Sequence, residues 1–239
     1  MKISIIAVSD IHSPYYLPLF SVSINSLLNK EFDMIVLAGD VVDNGNVDMI
    51  KPVVDILTRI IKRKSTRVIP IVAVFGNEEY MGFEDKFRTR YPEIVWINDE
   101  YVTLNVKDTN FCIVGSRGVL KKPTPWQRRN IPSVERVYEA RLNKIKSILR
   151  ECSKQGISIL VTHYASTYAT LYGENPAIYE YLGYPLIESL SIDVRPRISI
   201  HGHAHNASRL HANVNGVDVY NVSLVARKGV TVIDVDISR

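Results

Sequence analysis

Three short runs of aliphatic and β-branched residues, Lys2–Val8, Met34–Ala38 and Val68–Phe75, punctuate the first 80 residues. They are apolar throughout instead of alternating. That pattern suits strands buried on both faces, as in a sheet covered by helices. The segments between them support this. Tyr16–Asn29 reads as a helix of mixed character. Between the second and third runs, Val47, Ile50, Val53, Val54, Leu57, Ile60 and Ile61 recur at helical spacing. Pro52 sets the start of the regular helix near itself, because a proline deeper inside would remove a backbone donor.

The middle of the chain changes character. Tyr101–Val106 and Phe111–Val114 read as a hairpin around Lys107–Asn110. Ser116–Asn130 reads as a basic, proline-containing loop. Val134, Val137, Tyr138, Leu142, Ile145, Ile148, Leu149 and Cys152 keep one apolar helix face, and Gly156 supplies a stop. Ile157–Val161 is a strand, and Tyr164–Asp193 a long tyrosine-rich segment. Ile198–Ile200, Val217–Asn221 and Val230–Val235 read as further strands. No internal repeat or linker interrupts the order. The expected fold is α/β (α+β), a sandwich of two packed sheets flanked by helices, in one domain over residues 1–239.

Composition narrows the setting. With 46% hydrophobic residues in 239, the chain can build a core of ordinary size. No stretch reaches the ~18–20 apolar residues that cross a bilayer, so a membrane partner is not expected. The apolar start, Met1–Val8, meets Asp10 and His12 at once, as a strand would and a signal peptide would not. Two cysteines, Cys112 and Cys152, cannot make a disulfide scaffold or a Cys₄ zinc site, so a reducing, cytoplasmic location is expected. A net charge of +4 allows a nucleic-acid partner without favouring one. Only two glutamines, with abundant isoleucine, tyrosine and charged residues, lean towards a thermophile.

Polar residues stand where the apolar runs end. The first run leads into Asp10-Ile11-His12, the second into Gly39-Asp40-Val41-Val42-Asp43, and the third into Gly76-Asn77-Glu78-Glu79. Ile157–Val161 leads into Thr162-His163, and Ile198–Ile200 into His201-Gly202-His203-Ala204-His205. Open α/β sheets gather ligands beyond the carboxyl ends of their strands, so five such deliveries predict one site. Imidazole together with carboxylate favours manganese, iron, zinc, cobalt or nickel over magnesium.

Asp10-x-His12, Gly39-Asp40-x-x-Asp43, Gly76-Asn77, His163 and Gly202-His203-x-His205 make the chain resemble the calcineurin-like metallophosphoesterases, in that family's order. The resemblance implies two divalent metal ions, manganese foremost. One would be held by Asp10, His12, Asp40 and His205, and the other by Asp40, Asn77, His163 and His203, with Asp40 shared. It implies hydrolysis of a phosphate monoester or diester by a metal-bridging hydroxide, with Asn77, His163 and the position of Glu78 at the reacting phosphate. One departure stands out: Glu78 occupies the place of the family's leaving-group histidine. Without that acid, activated or aryl esters should be favoured over alkyl ones, and diesters should suffer less than monoesters from a negative Glu78. The alternative is a metal-binding scaffold with little or no turnover.

Other residues carry open readings. Asp43 is expected to orient a ligand or cap the next helix, and Glu79 to do similar work or lie in solvent. His201 and His211 are expected to be ordinary packed or surface residues. The tyrosines from Tyr164 to Tyr184 suit a substrate lid, a rigid loop filling or a homo-oligomer contact. Lys121, Lys122, Arg128 and Arg129 are expected to be solvated, with Arg117, just after a strand, nearer the site.

Overall fold

The computed structural model describes residues 2–64 and 68–237. Two sheets face each other. In the first, β1 (Lys2–Val8), β2 (Met34–Ala38), β3 (Ile71–Val74) and β4 (Ile94–Ile97) run parallel, and β11 (Thr231–Asp236) pairs antiparallel with β1, in the order β11-β1-β2-β3-β4. In the second, the order is β5 (Glu100–Val106), β6 (Thr109–Ser116), β7 (Ile157–Thr162), β8 (Ile198–His201), β10 (Val217–Asn221) and β9 (His211–Val214). Its inner strands β6, β7, β8 and β10 are parallel, and the edge strands β5 and β9 are antiparallel.

Each apolar run feeds two cores, as its lack of alternation requires. Ile3, Ile5 and Ala7 of β1 turn inward with Val36 and Val74 to meet Ile113, Ile159 and Ile200 of the other sheet. Ile6 and Val8, one residue out of phase, pack outward among Phe20 and Ile24 of α1 (Leu17–Asn25), Val53 and Leu57 of α2 (Ile50–Lys64) and Phe87 of α3 (Glu84–Arg90). On the far side, α5 (Val134–Cys152) covers the second sheet through Ile145, Ile148 and Leu149. The result is the expected two-sheet sandwich with helices outside.

Several boundaries differ from the sequence reading. The third run contracts to β3, because Pro70 has no N–H for the ladder and Val68 is 94% exposed. The hairpin turn is tighter than Lys107–Asn110: Lys107 and Asp108 alone form it, both with positive φ, as a two-residue type I′ turn demands. The expected loop Ser116–Asn130 contains α4 (Pro125–Asn130), started by a reciprocal capping box between Thr124 and Gln127 with Pro125 at the first turn. The short elements α3, β4 and β9 were not anticipated.

Cys112 of β6 and Cys152 at the end of α5 are joined in a buried disulfide. The inference from these cysteines to a reducing compartment therefore loses its footing. Among the described residues no helix is long and apolar enough to cross a membrane. The bond closes a loop across a sequence separation of 40. A crosslink of that span is worth ~2–4 kcal/mol through the unfolded chain. Denaturant unfolding with and without reductant should therefore differ by about that amount, and a Cys112→Ala/Cys152→Ala protein should ignore the reductant. Equal midpoints with and without reductant in the unsubstituted protein would show the bond to be energetically idle.

Candidate metal centre

The strand-end loops meet at one edge of the sandwich. Asp10 follows β1, Asp40 follows β2, Asn77 follows β3, His163 follows β7, and His203 and His205 follow β8. Backbone hydrogen bonds fasten neighbouring loops together: Asp10 N–H donates to the Gly39 carbonyl at 3.1 Å, His12 N–H to that of Asp40 at 2.9 Å, and Gly202 N–H to that of His163 at 3.0 Å. Close approach dictates the glycines. A Cβ at Gly76 would collide with the Asp40 carboxylate, and one at Gly39, where φ is +82°, would lie 2.7 Å from His163 Nδ1.

Two groups of donors result. Asp10, His12 and His205 bring ligand atoms within 4.8 Å of one another, and so do Asp40, His163 and His203. Asp40 lies between the groups, with Oδ2 3.2 Å from His163 Nε2 and 3.9 Å from His12 Nε2. Asn77 joins the second group, its Oδ1 3.0 Å from His163 Nε2. All seven residues singled out in the sequence are thus brought together. Their donor set fits divalent cations. His12 Nε2 is buried with no hydrogen-bond partner, and His205 Nε2 lies 3.1 Å from Asp10 Oδ1 without the alignment of a hydrogen bond. Buried imidazole nitrogens left this way are costly unless something else takes the lone pair.

The electrostatics reflect crowding of acids against imidazoles. Burial opposes ionisation of Asp10, but the adjacent His205 imidazole and the charge on His163 outweigh it and hold the carboxyl far below the usual range. Asp40 is likewise held down against its burial, chiefly by His163. Burial alone would lower His163, yet the Asp40 carboxylate pushes it up to about 9. Burial and the His163 charge push His203 down to about 3. His163 Nδ1 contacts the Ala38 carbonyl at 3.1 Å, which leaves Nε2 turned towards Asp40 and Asn77. Four of these residues, Asp10, His12, Asp40 and His203, have φ between 41° and 69°. That left-handed conformation is uncommon outside glycine and gathers at functional sites.

The residue that sequence reasoning undervalued is Glu79. It is fully buried, and four backbone N–H groups donate to its carboxylate: Asp40 at 2.9 Å and Gly76 at 2.6 Å to Oε2, Val41 at 2.7 Å and Val42 at 3.0 Å to Oε1. Burial and the neighbouring Asp40 charge push Glu79 up to about 7. Every partner is a donor, however, so the geometry is built for the carboxylate. The donors lie up to 39 residues away in sequence, so no local spacing announces the role.

The other readings sort themselves. Glu78 is turned into the loop fabric: Oε2 accepts from Asn44 N–H at 3.0 Å and Oε1 from Asn77 Nδ2 at 3.1 Å, while its own N–H donates to Asp40 Oδ1 at 2.8 Å. Asp43 Oδ1 sits 3.6 Å from His12 Nδ1, as expected of a residue that orients a ligand. His201 is buried and satisfied by Thr170 and the Gly202 carbonyl, and His211 is exposed beside Asp218. Arg117 donates to the Gly76 carbonyl and to Glu84 at 2.8 Å, so it braces the Asn77 loop. Lys121 and Lys122 lie over the rings of Tyr184 and Tyr181. Tyr164 packs at 4.9 Å against His203, and Tyr168 against Tyr179.

Losing the Glu79 carboxylate would strand four N–H groups, each unmet donor costing ~1–3 kcal/mol. Glu79→Ala should therefore lower the unfolding free energy by at least about 3 kcal/mol and weaken binding of added Mn²⁺, although Glu79 touches neither group of imidazoles. Thermal melts and calorimetric Mn²⁺ titration read both effects. Retention of the unsubstituted protein's melting temperature would remove Glu79 from its central place.

Among curated proteins no sequence matches the chain at a significant level. Similar solved structures include phosphopantetheinyl hydrolase from Mycobacterium tuberculosis, at 16% identity and TM-score 0.66, covering 95% of this chain and 91% of that one. A dimetal phosphatase from Danio rerio matches at 12% identity and TM-score 0.56, covering 92% and 87%. GAP50, the anchor in the inner membrane complex of Plasmodium, matches at 15% identity and TM-score 0.57, covering 98% and 81%. At such identities these likenesses speak for the shared fold. The family model for calcineurin-like phosphoesterases matches residues 3–207, a span that contains every residue of the metal centre, and the chain belongs to that family.

Proposed function

We propose that this protein is a dinuclear-metal-dependent hydrolase of phosphate esters. The observation that carries the reading is the pair of donor groups joined by Asp40, with buried imidazole nitrogens that lack partners. Asp10, His12, Asp40 and His205 would hold one ion, and Asp40, Asn77, His163 and His203 the other. Divalent ions there supply Lewis acidity and an activated water. Imidazole and carboxylate together suit manganese, iron, zinc, cobalt or nickel over magnesium, and the family resemblance puts manganese foremost.

The chain's own residues then divide the work. Asp40 sets the spacing of the two groups. His163 keeps its Nε2 available because Nδ1 is engaged with the Ala38 carbonyl. Glu78 takes the place of a leaving-group acid in sequence but acts through Asn77. By accepting from Nδ2 it turns the amide so that Oδ1 faces His163. Esters with good leaving groups therefore remain the expected substrates, since Glu78, at the acid's position, accepts from Asn44 and Asn77 instead of facing a leaving group with a proton.

The test is a Mn²⁺-reconstituted assay with p-nitrophenyl phosphate beside bis-p-nitrophenyl phosphate, paired with metal analysis. Turnover should vanish in EDTA and return with Mn²⁺. His163→Ala and His205→Ala should each lower it by at least about 100-fold. Asp40→Asn should reduce bound metal below one ion per chain. Activity that survives chelation would overturn the mechanism, and two tightly held ions without turnover on either ester would favour the scaffold. Glu78→Gln keeps an acceptor for Asn77 and should retain most turnover, whereas Glu78→Ala should lose about 10-fold or more. Equal activity in the two would remove Glu78 from the positioning of Asn77.

A further inference from the structure

Beside the second donor group the surface drops into a cavity of about 230 Å³, with Asn77 in its wall. The rest of the lining comes from separate parts of the fold: Tyr80 and Met81 before α3, Trp126 on α4, and Val137 and Tyr138 on α5. Tyr80, Met81 and Trp126 are 43%, 49% and 61% exposed, so three large apolar side chains otherwise out of place in water gather at one mouth. The lining also carries polar side chains, Gln127 and Asn130 among them. Arg117 is buried and lines the cavity, and its Nε has no partner among the described residues, while Arg141 beside it is paired with Asp99 at 2.9 Å. Pockets that take drug-sized molecules run to roughly 300–1,000 Å³. This space is smaller and suits a single ring.

We infer that the cavity is the subsite for the alcohol portion of the phosphate ester and selects a ring-sized apolar group. The inference rests on the phosphoesterase reading. Asn77 ties the two places together: its Oδ1 sits within the donor set of the metal centre, while the residue forms part of the cavity wall. A phosphoryl group held at the centre therefore has its ester substituent at the cavity mouth. Selection here is separate from leaving-group chemistry, because it acts on binding before any bond breaks.

Phosphonates test it, since their carbon–phosphorus bond is not cleaved and affinity alone is read. Calorimetric titration of the Mn²⁺-loaded protein with phenylphosphonate and with methylphosphonate should show the phenyl compound binding about 10- to 100-fold more tightly, the value of burying one ring. Val137→Phe, which fills the cavity from α5, should bring that ratio below about threefold. Trp126 stands on the exposed rim, so Trp126→Ala keeps the fold and should lower the ratio even where Val137→Phe does not fold. Equal affinities in the unsubstituted protein, or a ratio untouched by the substitutions, would overturn the subsite and leave the phosphoesterase reading standing. Failure of both phosphonates to bind would overturn both readings.

Discussion

Four backbone N–H groups from two separate loops converge on the Glu79 carboxylate, and the metal centre hangs on that convergence. Asp40, Val41 and Val42 leave β2 in a turn whose amides face inward, and Gly76 leaves β3 beside them. Without an acceptor these amides would be buried and unmet. With one, the β2 and β3 loops become a single unit, and Asp40 and Asn77 stand at a fixed distance. The Glu78 N–H bond to Asp40 Oδ1 adds a second tie between the same loops. The loop after β1 is sewn to the β2 loop by backbone bonds, and the loop after β8 to that after β7. The left-handed conformations of Asp10, His12, Asp40 and His203 persist because these ties leave the backbone no easier path.

The legible part of the fold was the part governed by local pattern. Lys2–Val8 and Met34–Ala38 fall on β1 and β2 because a strand buried on both faces must be apolar at every step. The face of α5 was readable for the analogous helical reason. Ile94–Ile97 and His211–Val214 passed unnoticed because four residues hold too little periodicity to outweigh their surroundings. Thr124-Pro125-Trp126-Gln127 was different: its capping box and first-turn proline were present in the sequence and were overshadowed by the basic charge around them.

The site divides along the same line. Histidines, aspartates and an asparagine placed just after strands are legible as one gathering point, and the fold does bring Asp10, His12, Asp40, Asn77, His163, His203 and His205 together. Glu79, Arg117 and Tyr164 stand out in the sequence with their readings open, since their partners are ones that only the folded chain brings near. Arg117, which follows a strand, is expected near the site and lies there, with its guanidinium largely taken up by the Gly76 carbonyl and Glu84. The Cys112–Cys152 bond was missed for a similar reason: it joins a strand to the end of a helix that returns alongside it.

That bond has a mechanical consequence for the cavity. The 19 residues of α5 make a rod on the order of 28 Å long, clamped to the second sheet at its far end by Cys152. Val137 and Tyr138 sit near its other end, where Val134 and Tyr138 pack against Val119, Leu120 and Tyr164 and Arg141 pairs with Asp99, so the rod is held at both ends. Tyr80 and Met81, on a connecting loop ahead of the short α3, form the opposite wall of the cavity. A ring seated there would meet one wall held by a crosslinked, packed helix and an opposite wall of loop, so changes at Tyr80 and Met81 should alter its fit at less cost to the fold than changes on α5.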